Sequence, residues 1–192
     1  PTTIGAHLDL AGKAAIVTGG TRGLGRVIAM RLAEAGCAVT ICGRAAPDDL
    51  PGGITFHKAD VRDPDQARAL VDAAAAMHGR LDILVNNAGG SPPADAATVS
   101  PRFVDAILKL NLVAPLYMAQ AAHPHMVAAG GGSIVNIASV SGARPSPGTA
   151  VYGAAKAGLL NLTQSLAQEW GARNIRVNAI VAGLMQTENA EA

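Results

Sequence analysis

Ala14-Ala15-Ile16-Val17-Thr18-Gly19-Gly20-Thr21-Arg22-Gly23-Leu24-Gly25 runs from an apolar stretch of strand length through a cluster of glycines into a segment of helical period. A strand over residues 14–18 followed by a helix over 24–35 puts Gly19, Gly23 and Gly25 at the turn between them. Without Cβ atoms, backbone N–H groups there approach an anion closely, and the helix N-terminus adds favourable partial charge. The turn therefore predicts a pyrophosphate site at the head of an α/β fold. Its spacing is Gly-x-x-x-Gly-x-Gly, which differs from the more widespread Gly-x-Gly-x-x-Gly fingerprint. Read alone, it also fits a plain strand-to-helix connection.

Outward from this turn, short apolar runs alternate with longer helical segments. Strands are expected at 14–18, 38–42, 54–58, 83–86, 134–138 and 176–180, and helices at 24–35, 64–78, 101–129 and 151–170. Continuous apolar strands separated by helices imply a parallel sheet covered on both faces, the doubly wound α/β (Rossmann-type) architecture. Asp63 before Pro64 and Ser100 before Pro101 mark helix starts, and Gly36, Gly79 and Gly171 mark stops. Gly130-Gly131-Gly132 reads as a turn into a strand, and 145–148 as a loop beside the presumed site. At 192 residues, with no linker or repeat, residues 1–192 read as one domain.

A net charge of +1 with dispersed basic residues argues against a nucleic-acid groove or a polybasic anchor. No apolar run is long enough to span a bilayer, and the first nine residues lack the order of a signal peptide. Cys37 and Cys42 are expected to point to opposite faces and to stay reduced, which suits a cytoplasmic protein. His123 and His125, on different helix faces with no acid beside them in sequence, read as surface residues; no metal site is expected.

Tyr152 and Lys156 stand one helical turn apart, with Ser139 thirteen residues upstream of Tyr152. With the glycine turn, Asn86-Asn87-Ala88-Gly89, Asn111 and Val177-Asn178-Ala179-Ile180, they resemble the short-chain dehydrogenase/reductase family over nearly the whole chain. Within it the likeness runs toward 3-oxoacyl-carrier-protein reductase-like members. The resemblance implies hydride transfer between a nicotinamide dinucleotide and a ketone or secondary alcohol, on a small-molecule substrate. Ketone reduction also needs a proton on oxygen, and a free tyrosine has a pKa of about 10. Lys156, at i+4 on the same helix face, is expected to favour the Tyr152 phenolate and to hold the nicotinamide ribose. Ser139 would orient the substrate oxygen, with Ser141 lining the loop. Asn111 is the fourth catalytic member by resemblance. Pro115, four residues on, removes the donor to its carbonyl and should bend the helix, freeing that carbonyl for a water leading toward Lys156.

The cofactor contacts expected are Gly19, Thr21, Arg22, Gly23, Leu24 and Gly25 in the turn, and Arg44 after the second strand. Tyr152 and Lys156 contribute from the catalytic helix. By resemblance, Asp60 would bind the adenine amino group with Val61 along the ring, and Asn87, Ala88 and Gly89 would line the adenosine, leaving Asn86 mostly structural. An NAD-preferring site places an acid after the second strand; here Gly43 and Arg44 follow Cys42. Arg22 and Arg44 suit a 2′-phosphate, so NADP(H) is preferred, with NAD(H) possible. Where relatives carry Pro-Gly after the sixth strand this chain has Ala182-Gly183, with Leu184 and Thr187 following as cofactor contacts. Relatives continue through a substrate-covering segment and a seventh strand, so the substrate is not named by these residues. Leu159, Leu160, Leu162 and Leu166 suggest apolar excess on the last helix and, with the resemblance, a homodimer or homotetramer. The rival reading is a non-catalytic dinucleotide-binding regulatory or scaffold protein, against which the intact set of four catalytic residue types argues.

Overall fold

The apolar run at Ala14–Thr18 forms a strand that is buried along its whole length, as a central strand must be when both its faces pack. The computed structural model describes residues 9–185. Six strands in it, β1 (Ala14–Thr18), β2 (Ala38–Gly43), β3 (Ile54–Lys58), β4 (Ile83–Asn86), β5 (Gly132–Ser139) and β6 (Ile175–Ala182), make one sheet. Their order is β3-β2-β1-β4-β5-β6, every pair parallel. The order reverses between β1 and β4, so a crevice opens at their carboxyl ends.

The helices are α1 (Gly23–Glu34), α2 (Pro64–His78), α3 (Pro101–Leu108), α4 (Ala114–Ala128), α5 (Val140–Ala143) and α6 (Ala150–Trp170). Strand side chains alternate between faces. Ile16, Leu84 and Ile134 pack with α2, α4 and α6, whereas Ala15, Val17 and Val85 pack with α1. Both predicted helix starts are capped: Asp63 accepts from the Asp65 and Gln66 amides, and Ser100 from Phe103. Gly79 closes α2 at φ 72°.

Several expectations change. The helix expected over 101–129 is two α-helices joined by a π turn, Lys109–Val113. Pro115 cannot donate four residues back, and the chain answers by widening to an i→i−5 bond from the Ala114 amide to the Lys109 carbonyl instead of simply bending. β5 and β6 are longer than expected, pairing from Gly132↔Ile175 to Ser139↔Ala182; β6 takes in the apolar Ile175, Val181 and Ala182, whereas β5 extends through Gly132, Ser133 and Ser139 because pairing and not hydrophobicity sets its ends. Gly171 keeps a helical φ of −56° and opens a 3-10 turn; the left-handed stop is Asn174 at φ 58°, whose side chain donates to the Gly130 carbonyl. The α6 leucines are largely core: Leu159 and Leu166 are buried and Leu162 packs against the core, which removes most of the expected excess.

The histidines are half-buried and partnered. His125 Nε2 lies 2.7 Å from an Asp72 carboxylate oxygen on α2, and the His123 ring meets Trp170 at 4.8 Å between centroids. The sequence near them holds no acid, but α2 supplies one across the α2–α4 contact. Cys37 and Cys42 are buried and free, and burial pushes both thiols up to about 11. The α1 face leaves a groove of about 580 Å³ over β4–β6, bordered by Ile83, Val85, Val135 and Ile180. Among the described residues no helix is long and apolar enough to cross a membrane, and no group of three potential ligands could hold a metal ion.

Candidate active site

The crevice at the switch point is a cavity of about 830 Å³. Gly19, Thr21, Arg22, Gly23, Leu24, Gly25, Arg44, Asp60, Val61, Asn87, Ala88 and Gly89 all line it. Local chemistry shapes its floor. The Thr18 hydroxyl accepts from the Asn87 and Ala88 amides, each at 3.0 Å, and the Asn87 side chain donates to the carbonyls of Thr18 (2.9 Å) and Gly19 (3.3 Å). Asn87 thus ties the β1 and β4 ends together as well as lining the cavity, a role its place in sequence did not distinguish. A Cβ on Gly25 would fall on Asn87 Nδ2 and the Gly19 carbonyl, so the turn closes only with glycine there. Asn86 donates to Asn136 Oδ1 at 2.9 Å, in keeping with a structural role.

The end of the cavity beside β2 and β3 is rich in guanidinium groups. Gly43 packs on Thr21, whose Cγ2 lies 2.9 Å from where a Cβ would stand. Arg22 and Arg44 border the cavity, and among the described residues their side chains make no hydrogen bond or close ion pair, although the Arg44 charge helps to hold the Asp60 carboxyl down. Sequence reading missed Arg26 and Arg62, which also line it. Arg62 forks Asp60, its Nε 2.9 Å from Oδ1, and this hydrogen bonding holds the Asp60 carboxyl below its ordinary range despite partial burial. The carboxylate expected on the adenine is therefore already bonded. Its two-residue spacing to Arg62 was the signal available in sequence.

Beyond Gly89 the geometry turns catalytic in type. Asn111, fully buried in the π turn, accepts from the Gly90 amide at 2.8 Å and donates to the Gly90 and Ile107 carbonyls, each at 3.0 Å. Its side chain clamps the loop after β4, a use the sequence reading did not include. Lys156 is 3 % exposed; its ammonium donates to the Ile137 carbonyl at 2.7 Å and sits 5.6 Å from the Tyr152 ring centroid. A Cβ on Gly89 would stand 2.8 Å from Asn111 Oδ1 and 3.2 Å from Lys156 Nζ, so these two groups converge beside the cavity floor. Burial pushes the Lys156 ammonium down to about 8. Ser139 ends β5, two residues past Ile137, and its oxygen accepts from the Ser141 amide at 3.1 Å, capping α5. No hydrogen bond joins Ser139 to Tyr152 among the described residues. Gly183 and Leu184 leave β6 at the same carboxyl end but do not border the cavity, and Leu184 is wholly exposed. Thr187 lies outside the described residues.

A glycine-turned dinucleotide crevice beside Tyr152 and Lys156 on one helix defines a class, and comparison agrees. The family described as short chain dehydrogenase matches residues 13–192, and the chain belongs to it. It is an oxidoreductase of that family, transferring hydride between a nicotinamide dinucleotide and a carbonyl or alcohol substrate. Among individual relatives, it is 39% identical over 191 residues to 2-dehydro-3-deoxy-D-gluconate 5-dehydrogenase of Escherichia coli, covering 95% of this chain and 76% of that protein. It is 34% identical over 194 residues to a 3-oxoacyl-(acyl-carrier-protein) reductase of Thermotoga maritima, covering 96% and 78%. A short-chain type dehydrogenase/reductase structure from Mycobacterium ulcerans superposes with a TM-score of 0.89 at 33% identity, covering 95% of this chain and 71% of that one.

Two outcomes follow from this packing. Gly25→Ala should destabilise the fold by about 1–3 kcal/mol, as overpacking does, and weaken dinucleotide binding at least about tenfold. Gly171→Ala, with nothing within 4 Å of its added carbon, serves as the unaffected control in urea titration. Because Lys156 titrates near 8 when folded and about 10.4 unfolded, the unfolded chain binds more protons between those values. Stability relative to Lys156→Met should therefore rise as pH climbs from about 8 to 10 and stay flat below 8, measured by urea midpoints.

Proposed function

We propose that this chain is an NADP(H)-preferring reductase or dehydrogenase of ketones and secondary alcohols, with Tyr152 as its general acid and base. The convergence of Lys156 and Asn111 beside Gly89, with the Tyr152 ring 5.6 Å from the Lys156 ammonium, carries the reading. The residues fit the group they would hold: Gly19, Gly23 and Gly25 leave room for a pyrophosphate, and Lys156 lies at the end where nicotinamide ribose would rest. The bound dinucleotide supplies or accepts the hydride.

The chain's own residues do the remainder. Tyr152 gives its phenolic proton to the substrate oxygen during reduction and takes it back during oxidation. Lys156, still ammonium near neutral pH, offsets the negative charge left on the phenolate. The Ser139 oxygen accepts from Ser141, which leaves its own O–H free to donate to the substrate oxygen and aim it at Tyr152. Asn111 holds Gly90 by two hydrogen bonds and so fixes the loop over which the nicotinamide end would lie.

Preference for NADP(H) rests on Gly43 standing where an acid would bind a ribose 2′-hydroxyl, and on Arg22 and Arg44, which line the same cavity with no side-chain hydrogen bond among the described residues. The family likeness supports a symmetric dimer through α4 and α6, in the cytoplasm.

Tyr152→Phe should abolish turnover of a ketone panel with NADPH, followed at the nicotinamide absorbance, while cofactor binding survives; a variant that keeps most of its activity would refute the assignment. Arg44→Ala should raise the NADPH Kd about ten- to a hundredfold, from loss of a hydrogen bond to a charged group, with little change for NADH. Equal losses for both cofactors would count against it. Light scattering at micromolar concentration should show a dimer, and a monodisperse monomer would remove the helix interface.

A further inference from the structure

Residues 44–53 join β2 to β3 without helix or strand, and residues 44–49 among them form one rim of the dinucleotide cavity. Among the described residues, the hydrogen bonds that residues 44–50 make with the rest of the chain come from a single side chain. Arg26, in the first turn of α1, donates from Nη2 to Asp49 Oδ2 at 2.7 Å and from Nη1 to the Asp49 carbonyl at 3.2 Å. The guanidinium is largely covered, with 23% of its side chain exposed, whereas the Asp49 side chain is 79% exposed. An ion pair between two mobile surface groups contributes little. This one differs, because its cation is fixed on a helix and one of its bonds grips the loop backbone.

The geometry points to Arg26 and Asp49 as a clasp that sets cofactor selectivity by holding the Arg44 segment across the adenosine end of the cavity. Arg26 is a positioning residue here, acting through Asp49 and not through contact with the cofactor. Anchoring Asp49 orders the segment that begins with Arg44, so less ordering is left for binding to supply, and either variant would lose that order. Arg22, one helical turn before Arg26, then remains free beside Arg44. The proposal rests on the NADP(H) reading and deepens it.

Fluorescence titration of the purified protein with NADPH and NADH tests both levels. Arg26→Ala and Asp49→Ala should each raise the NADPH Kd about three- to tenfold and the NADH Kd less than about twofold, and the double variant should be no worse than either. Amide hydrogen exchange across residues 44–50 should quicken in both single variants. Asp49 is an exposed loop residue, so its variant folds whatever happens to Arg26. If Asp49→Ala leaves NADPH binding within twofold of the parent, or tightens it, the clasp is wrong and Arg26 meets the phosphate itself. An unmutated protein that prefers NADH overturns the cofactor reading instead, and that result is read before any variant is made.

Discussion

The ends of β1 and β4 must lie close enough to form a floor and yet part enough to admit a ligand, and Asn87 reconciles the two. Backbone groups just past a strand end have no ladder partner and must find one. Here the Thr18 hydroxyl takes two amides from the β4 side, while Asn87 returns hydrogen bonds to two carbonyls on the β1 side. Gly25 lets α1 come down onto this stitch, since any side chain would strike Asn87. The crevice, the direction of α1 and the height of the glycine turn all depend on that closure. Cys42 and Ala59, at and just beyond the next strand ends, complete the cavity floor.

At the other end of the cavity the fold carries a cost. Lys156 is buried, with one carbonyl as its hydrogen-bond partner among the described residues, and its ammonium is destabilised by lost hydration. Such a group persists where a ligand provides what the protein withholds, and active sites concentrate strain of this kind. The π turn belongs to the same arrangement. Widening the helix at Lys109–Val113 accommodates Pro115 and carries Asn111, whose side chain grips Gly90. α6 and the α3–α4 unit therefore meet at Gly89 and Gly90 with little freedom to shift.

Charge is sorted along the cavity rim. Of the arginines lining it, Arg26 and Arg62 are taken by Asp49 and Asp60, whereas the Arg22 and Arg44 side chains make no hydrogen bond or close ion pair among the described residues. Pairing some cations and sparing others concentrates positive charge at one place.

The order of strands and helices, the caps at Asp63 and Ser100 and the site at Gly19 to Gly25 were legible in the sequence because each is written in neighbouring residues. Periodicity, a capping oxygen or a missing Cβ acts within a turn or two of the chain. The grouping of Tyr152 with Lys156 was legible for the same reason, being one helical turn. Tertiary structure alone decided that Arg26 reaches Asp49 across twenty-three residues and that Asp72 meets His125. It also decided the extra length of β5, where pairing continues through Gly132, Ser133 and Ser139, which carry no apolar signal. Local sequence specifies backbone geometry because backbone sterics are local. Which charges meet, which hydroxyl is spoken for and which ammonium loses its water depend on packing between elements distant along the chain, and only the folded arrangement brings those elements together.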